Sequence, residues 1–438
     1  MGTRRARAVV VAALAALTLL TSTVAPAGAS AGSSTGSAAG AGRCRAGAPG
    51  VGDDYYPLYG NGGYDVGHYL LKVSYDPATD RLVGTAVISA RASESLCRFN
   101  LDFQGMTVRS VVVDGRRARW SRSADHELTV TPQHRLRKGR RFTTVVRYDG
   151  VPRTQVDLSV PDEPLPYGFI HTDDGAVVVS EPEGSANWFP LNDHPTDKAS
   201  FTFVVTVPAG LEAISNGRLI GHRTHGRSTT WVWDAREPMA PYLATATIGQ
   251  FDLRRHRTPD GLRMYDAVDP DLYDQPVDPQ DPAAATFGEL ADGSLARRGE
   301  ILGFLAGRFG PYPFSTGGGI VDDAPDLFFA LENQTRPIYP GPSSPIRSTA
   351  ISWWCTSSPT SGSGTAWPWP SGSTSGSTRA SPPTPSGCGA RTTTLGPPRR
   401  PSTSSTTTSP PVTRSGTRSS ATRASRSSST ARCTCVVP

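Results

Sequence analysis

Imidazoles, thiols and carboxylates are the groups through which this chain could hold a metal or support hydrolysis, and their spacing narrows the chemistry. The eight histidines are His68, His126, His134, His171, His194, His222, His225 and His256. Two imidazoles one helical turn apart, with a glutamate after the first, make the H-E-x-x-H grip on catalytic zinc. None of the eight begins that pattern. His126-Glu127-Leu128 starts it, but Val130 stands where the second histidine belongs and the surrounding alternation is that of a strand. His222 and His225 lie three apart in a polar, turn-like stretch and read as solvated side chains. No metal ligands are therefore expected in this chain. Cys44 and Cys97 are the only cysteines in the first 350 residues, so they either bridge or stand as two separate thiols.

The elements that would position such groups are mostly strands. Residues 69–75 alternate apolar and polar, run into the turn Asp76-Pro77-Ala78-Thr79-Asp80, and emerge into a second alternating run from Leu82 to Ile88. The same period of two recurs at residues 201–207 and 231–233. Strands and turns of this regularity predict a mainly β, antiparallel domain of sandwich or saddle type. From Ala283 to Phe309 there is no proline, and Ile301, Leu302, Leu305 and Phe309 share one helical face, with Gly310-Pro311 closing the segment. The apolar, glycine-rich residues 317–321 then read as a strand leading toward residues 326–333. A helix and a strand after a β domain predict the start of a new α/β or α+β domain.

Composition sets the context. A cationic start with Arg4, Arg5 and Arg7, an apolar run from Val9 to Leu20 and the small residues Ala27-Gly28-Ala29 predict a secretory signal peptide, hence an exported, extracellular protein. No segment is long enough to favour a membrane span. The formal charge of +6 belongs to the C-terminal tail, because residues 341–438 hold ten Arg and no Asp, Glu or Lys. That leaves −4 for the remainder and removes the case for a nucleic-acid partner. The predicted partition is 1–29 signal peptide, 30–50 linker, 51–255 β domain, 256–340 start of the second domain and 341–438 a Ser/Thr/Pro/Arg-rich tail with too little apolar material to order.

Residues 329–336, Phe-Ala-Leu-Glu-Asn-Gln-Thr-Arg, resemble the G-A-M-E-N motif of the aminopeptidase N family of zinc exopeptidases. Ser180-Glu181-Pro182-Glu183-Gly184 and the following Trp188-Phe189-Pro190-Leu191-Asn192-Asp193-His194-Pro195 resemble that family's Q-x-E-P and W-F-P-C-x-D-x-P segments. Pro241-Tyr242-Leu243-Ala244 with Ile248-Gly249-Gln250-Phe251 is similar to the end of its β domain, and Tyr64-Asp65-Val66 with His68-Tyr69 to its first strand. The resemblance implies a truncated start of a thermolysin-like α/β catalytic domain after the β domain, peptide substrates with a free N-terminus, and zinc in the intact enzyme. It also implies that Glu181 and Glu332 bind the substrate's α-ammonium, with Ala330 and Asn333 beside its extended backbone. Such a carboxylate pair supplies the charge-assisted hydrogen bonds an ammonium group needs. Phe329 departs from the pattern, standing where the family has glycine.

The tail has a second explanation. Residues 341–438 lack Asp, Glu, Lys, His, Asn, Gln and Tyr, all encoded with A at the second codon position, and Phe and Met, encoded there with T. A GC-rich gene read out of frame excludes these types, because its wobble base then falls second. Back-translation of residues 354–364 from each codon's third base allows V-H-E-L-A-H-Q-W-F-G, and continuing through Ser386 allows W-L-N-E-G-F-A-T-Y-A-E. Eighteen residues separate the second histidine from the first glutamate of the latter stretch. The expectation is a frameshift after about Tyr339 that removes the zinc site and the peptidase activity with it. The alternative is a non-catalytic secreted β-domain protein with a Ser/Thr/Pro-rich stalk.

Overall fold

The computed structural model describes residues 44–123, 126–157, 165–281 and 283–341. The predicted signal peptide, most of the predicted linker and the predicted disordered tail lie outside these residues.

Period-two patterning becomes strand wherever one face meets the core. Tyr64–Asp76 turns at residues 77–80 into Arg81–Ala92, the two pairing antiparallel from Tyr64 opposite Ala92 to Asp76 opposite Arg81. Ala199–Pro208 alternates buried and half-exposed residues along its whole length and turns Phe201, Phe203, Val205 and Val207 inward. These strands belong to an eight-stranded sheet that also contains Arg218–His225, Ser228–Met239, Arg141–Gly150, Thr107–Val113 and Arg116–Arg117. Within this sheet one pairing departs from the antiparallel expectation, since Ala199–Pro208 runs parallel to Tyr64–Asp76. Parallel neighbours need a long crossover, and this one carries most of two further sheets. Where Tyr69 lies beside Phe201, their rings stack at 4.8 Å, with Phe189 edge-on to Tyr69 at 5.7 Å.

A four-stranded sheet holds Arg45–Ala46, Leu96–Asp102, Glu127–Thr131 and Arg119–Ser123. Cys44 and Cys97 form a disulfide with Cα atoms 5.2 Å apart, fastening Arg45–Ala46 to its parallel neighbour Leu96–Asp102. Residues 44–50, read from composition as the end of a linker, are thus part of the fold. A five-stranded sheet contains Thr154–Asp157, Leu165–His171, Ala176–Val179, Ala246–Gly249 and Glu212–Ser215.

The last sheet is of a different kind. Asp252–Arg257 pairs antiparallel with Arg263–Val268, and then Arg263–Val268, Thr316–Asp322 and Ile338–Pro340 run parallel. Two helices, α1 (Phe287–Ala296) and α2 (Arg298–Phe309), cross between the first two parallel strands. The single predicted helix is therefore divided at Arg297. Thr286 and Glu289 cap α1 reciprocally, and α1 buries Ala291 and Leu295. The predicted apolar face of α2 is covered only in part: Leu302 is buried and Ile301 and Leu305 are half-buried, but Phe309 is 63% exposed, and the neighbouring Phe304 is 55% exposed. Periodicity reported which residues share a face, not whether anything covers it. Among the described residues no helix is long and apolar enough to cross a membrane.

Candidate functional site

Glu181 follows the fully buried strand Ala176–Val179 and the buried Ser180. Just beyond it the chain enters a short 3-10 turn, Gly184–Asn187, with the Gly184 N–H donating to the Ser180 carbonyl at 2.7 Å. Glycine is needed there because a Cβ on Gly184 would stand 2.7 Å from the Gly168 Cα. The two glutamates of this segment have separate fates. Glu183 is buried and accepts hydrogen bonds from the hydroxyls of Tyr167 at 2.9 Å and Tyr59 at 3.4 Å. Glu181 opens to solvent, and its carboxyl is pushed up by the protein mass beside it and then by the charge of Glu332.

Tyr242 joins the pair. It sits in the 3-10 turn Pro241–Leu243, and burial, then the charges of Glu332 and Glu181, push its phenol well above the usual range. A hydroxyl facing two carboxylates keeps its proton and serves as a donor. Sequence reasoning used Tyr242 only as a landmark; a tyrosine in an otherwise apolar turn was the signal available.

Glu332 is half-buried and rides on a loop whose next four residues are sealed. The Asn333 side chain is fully enclosed and donates to the Leu243 carbonyl at 3.1 Å. That directs it toward the turn carrying Tyr242 rather than toward solvent. Thr335 takes φ of 65°, in the left-handed region, and its hydroxyl accepts the Gly217 N–H at 2.8 Å. Arg336 has no exposed surface, and its guanidinium donates to the carbonyls of Ser215, Gly217, Gly317 and Thr335 at 2.5 to 3.2 Å. It also lies 4.9 Å from the Tyr265 ring centroid and 5.3 Å from that of Trp233. Burial pushes its pKa down to about 10, with Asp266 opposing the shift. Gly318 makes room for this arrangement: at φ 140°, a Cβ would lie 2.9 Å from an Arg336 nitrogen and closer still to the Tyr265 carbonyl. Ala330 is half-buried against the small apolar cluster that includes Leu295 and Tyr339, while Phe329 packs against the main core.

The long tryptophan-containing motif is a fastening. The Asn192 N–H donates to the Tyr69 hydroxyl at 3.0 Å and its side-chain oxygen accepts from the Asn61 N–H at 2.6 Å. The Asp193 N–H donates to Asp102 at 2.7 Å, and Asp197 accepts from the Val66 N–H at 3.0 Å. These bonds tie the segment after Glu181's turn to the first long strand and to the four-stranded sheet.

Comparison with known proteins gives this arrangement a class. Residues 66–243 match the peptidase M1 N-terminal domain. The M1 zinc metallopeptidase from Deinococcus radiodurans superposes with a TM-score of 0.57 at 26% identity, covering 70% of this chain and 67% of that one. A mutant of it bound to a Tyr-Ser-Ala substrate gives 0.56 at 28% identity over the same shares. Residues 66–243 are thus of the M1 N-terminal domain class. Aminopeptidase M1 of Arabidopsis thaliana is 30% identical over 89 residues, covering 20% of this chain and 10% of that protein. Aminopeptidase M1-B of Oryza sativa subsp. japonica is 33% identical over 95 residues, covering 21% and 11% respectively. This chain carries the N-terminal part of an aminopeptidase N family protein. Its matched segments span about a tenth of the curated relatives' length.

Proposed function

We propose that the protein is an exported aminopeptidase that captures a peptide's free α-ammonium between Glu181 and Glu332, and that this translation carries the capture side without the metal side. The observation supporting the capture role is the convergence of Glu181, Glu332 and Tyr242 from three segments far apart in sequence. An ammonium offers three N–H donors to the two carboxylates, and its positive charge offsets both the burial and the Glu332 repulsion that raise the Glu181 pKa. Asn333 then supports the Glu332 turn, and the backbone at Ala330 borders the bound chain.

Zinc would supply carbonyl polarisation and an activated water in the intact family enzyme. The residues described here do not provide its site, because no histidine stands with Glu181 and Glu332 in a metal-competent group among them. No step is therefore routed through it. The absent residue types of the tail, and the H-E-x-x-H string its shifted frame allows, support a frameshift as the reason.

Sequencing the DNA across the codons for Tyr339 to Trp354 tests this directly. A gene with its frame restored there is expected to yield chelator-sensitive release of N-terminal residues from peptides, and the 438-residue chain none. An intact natural frame, with tail peptides found by mass spectrometry, would sink the frameshift and favour the non-catalytic stalked protein.

A further inference from the structure

His126-Glu127, which lacks the second histidine of a zinc helix, meets a third ligand that no local motif reveals. In the antiparallel pair Leu96–Asp102 with Glu127–Thr131, Asp102 stands directly opposite Glu127. Like charges in that relation repel, and both residues are buried, Asp102 at 0% and Glu127 at 6% exposure. Asp102 Oδ2 accepts from Asn61 Nδ2 at 3.0 Å and from the Asp193 N–H at 2.7 Å. Asp102 Oδ1 and both Glu127 carboxylate oxygens have no hydrogen-bond partner. None of the ion pairs among the described residues reaches either acid. Three enclosed acceptor oxygens without a donor or a countercharge are costly unless something cationic or a proton meets them.

His126 is oriented for that purpose. Its Nε2 lies 3.1 Å from the Leu58 carbonyl, which accepts only from a protonated nitrogen, so in the neutral ring the lone pair is on Nδ1. Metal-binding imidazoles are commonly held this way, through the second nitrogen to a backbone carbonyl. The Tyr59 ring stacks on His126 at 5.3 Å and fixes the ring plane. One ligand atom from each of Asp102, His126 and Glu127 lies within 4.8 Å of the others. Ligands about 2.2 Å from one ion stand up to about 4.4 Å apart, so small side-chain adjustments close the set.

We propose that Asp102, His126 and Glu127 form a structural divalent-cation site that clamps the two facing strands to the segment around Leu58 and Tyr59. Two carboxylates and one imidazole cancel a dication's charge. Mixed oxygen and nitrogen donors, with water completing the shell, suit Mn²⁺ better than Ca²⁺, which favours oxygen alone. The site is independent of the aminopeptidase reading, since none of its ligands belongs to the Glu181–Glu332 pair.

The test uses the purified 438-residue chain, stripped with EDTA, dialysed and titrated with Mn²⁺. Loss of the free-ion electron paramagnetic resonance signal reads binding, and thermal melts read the clamp. The expected result is one Mn²⁺ per chain, a raised melting midpoint, and affinity at least tenfold weaker in E127Q and in H126N. Glu127 makes no hydrogen bond that Gln would forfeit, so E127Q is the cleaner variant, and circular dichroism checks its fold. H126N gives a second arm should E127Q unfold. Absence of saturable binding, or binding unchanged in both variants, overturns the proposal. A midpoint raised by E127Q and indifferent to Mn²⁺ also overturns it, leaving a proton shared between the two acids.

Discussion

Glu181, Glu332 and Tyr242 lie near enough for their charges to act on one another, with Glu181 open to solvent, whereas Asp102 and Glu127 face each other across paired strands with three of their four oxygens unpartnered. Both pairs bring like charges together. The open pair can wait for a cationic ligand because water screens it meanwhile; the closed pair must be neutralised within the fold. On the roles proposed for the two pairs, solvent access rather than residue type separates a recognition site from a structural one.

The largest test of that contrast removes the support of the open pair. R336M is expected to cost about 3–5 kcal/mol of folding stability, measured by urea unfolding, because four buried carbonyls lose their donor. R336K should recover little of it, since an ammonium lacks the planar fork that reaches them. A loss under 1 kcal/mol would mean the loop is held some other way.

The closed pair is best probed by pH. Burial raises Asp102 to about 7 and Glu127 to about 8, the latter also through the Asp102 charge. Both folded-state values exceed the unfolded ones, so the native state holds protons that the unfolded chain releases. Stability of the metal-free chain should therefore be greatest at acid pH and fall as pH rises from about 4 to about 8. Asp193, buried beside Asp102 and also pushed up, contributes with the same sign. Thermal melts in chelator at about pH 5 and about pH 8 should show a smaller fall for E127Q than for the native chain. Equal falls would remove Glu127 from the account.

For the open pair, E332Q in the frame-restored enzyme should reduce kcat/KM by roughly 10- to 100-fold, the worth of one charge-assisted hydrogen bond of about 1.5–3 kcal/mol. The loss should be smaller on an N-acetylated peptide, which has no ammonium to bind. Y242F should have the smallest effect, roughly 3- to 10-fold for a neutral hydroxyl of about 1 kcal/mol, read by the same kinetics. An unchanged acidic limb of the pH profile in Y242F would break the link drawn between that hydroxyl and the carboxylates.

Legibility in the sequence followed the range of the interaction. The turn between Tyr64–Asp76 and Arg81–Ala92 was visible because alternation and turn residues are local. The parallel placement of Ala199–Pro208 against Tyr64–Asp76 was invisible, since an alternating strand looks the same beside any partner. Glu181 and Glu332 were found only through a family resemblance, and nothing in residues 180–184 distinguished the open Glu181 from the tyrosine-bound Glu183. His126-Glu127 was set aside as a failed helix motif, a sound inference locally. Its third member comes from cross-strand register, which no spacing rule along the chain encodes. Arg336 passed unremarked at the end of a motif because composition favours exposed arginines, and only four inward-facing carbonyls make its burial intelligible.

That buried guanidinium has a consequence for timing. The turn bearing Glu332 is immobilised when the polypeptide folds, so its conformational entropy is already lost before any peptide arrives. An incoming N-terminus would find that carboxylate stationary, and any adaptation to different first residues must come from elsewhere around it.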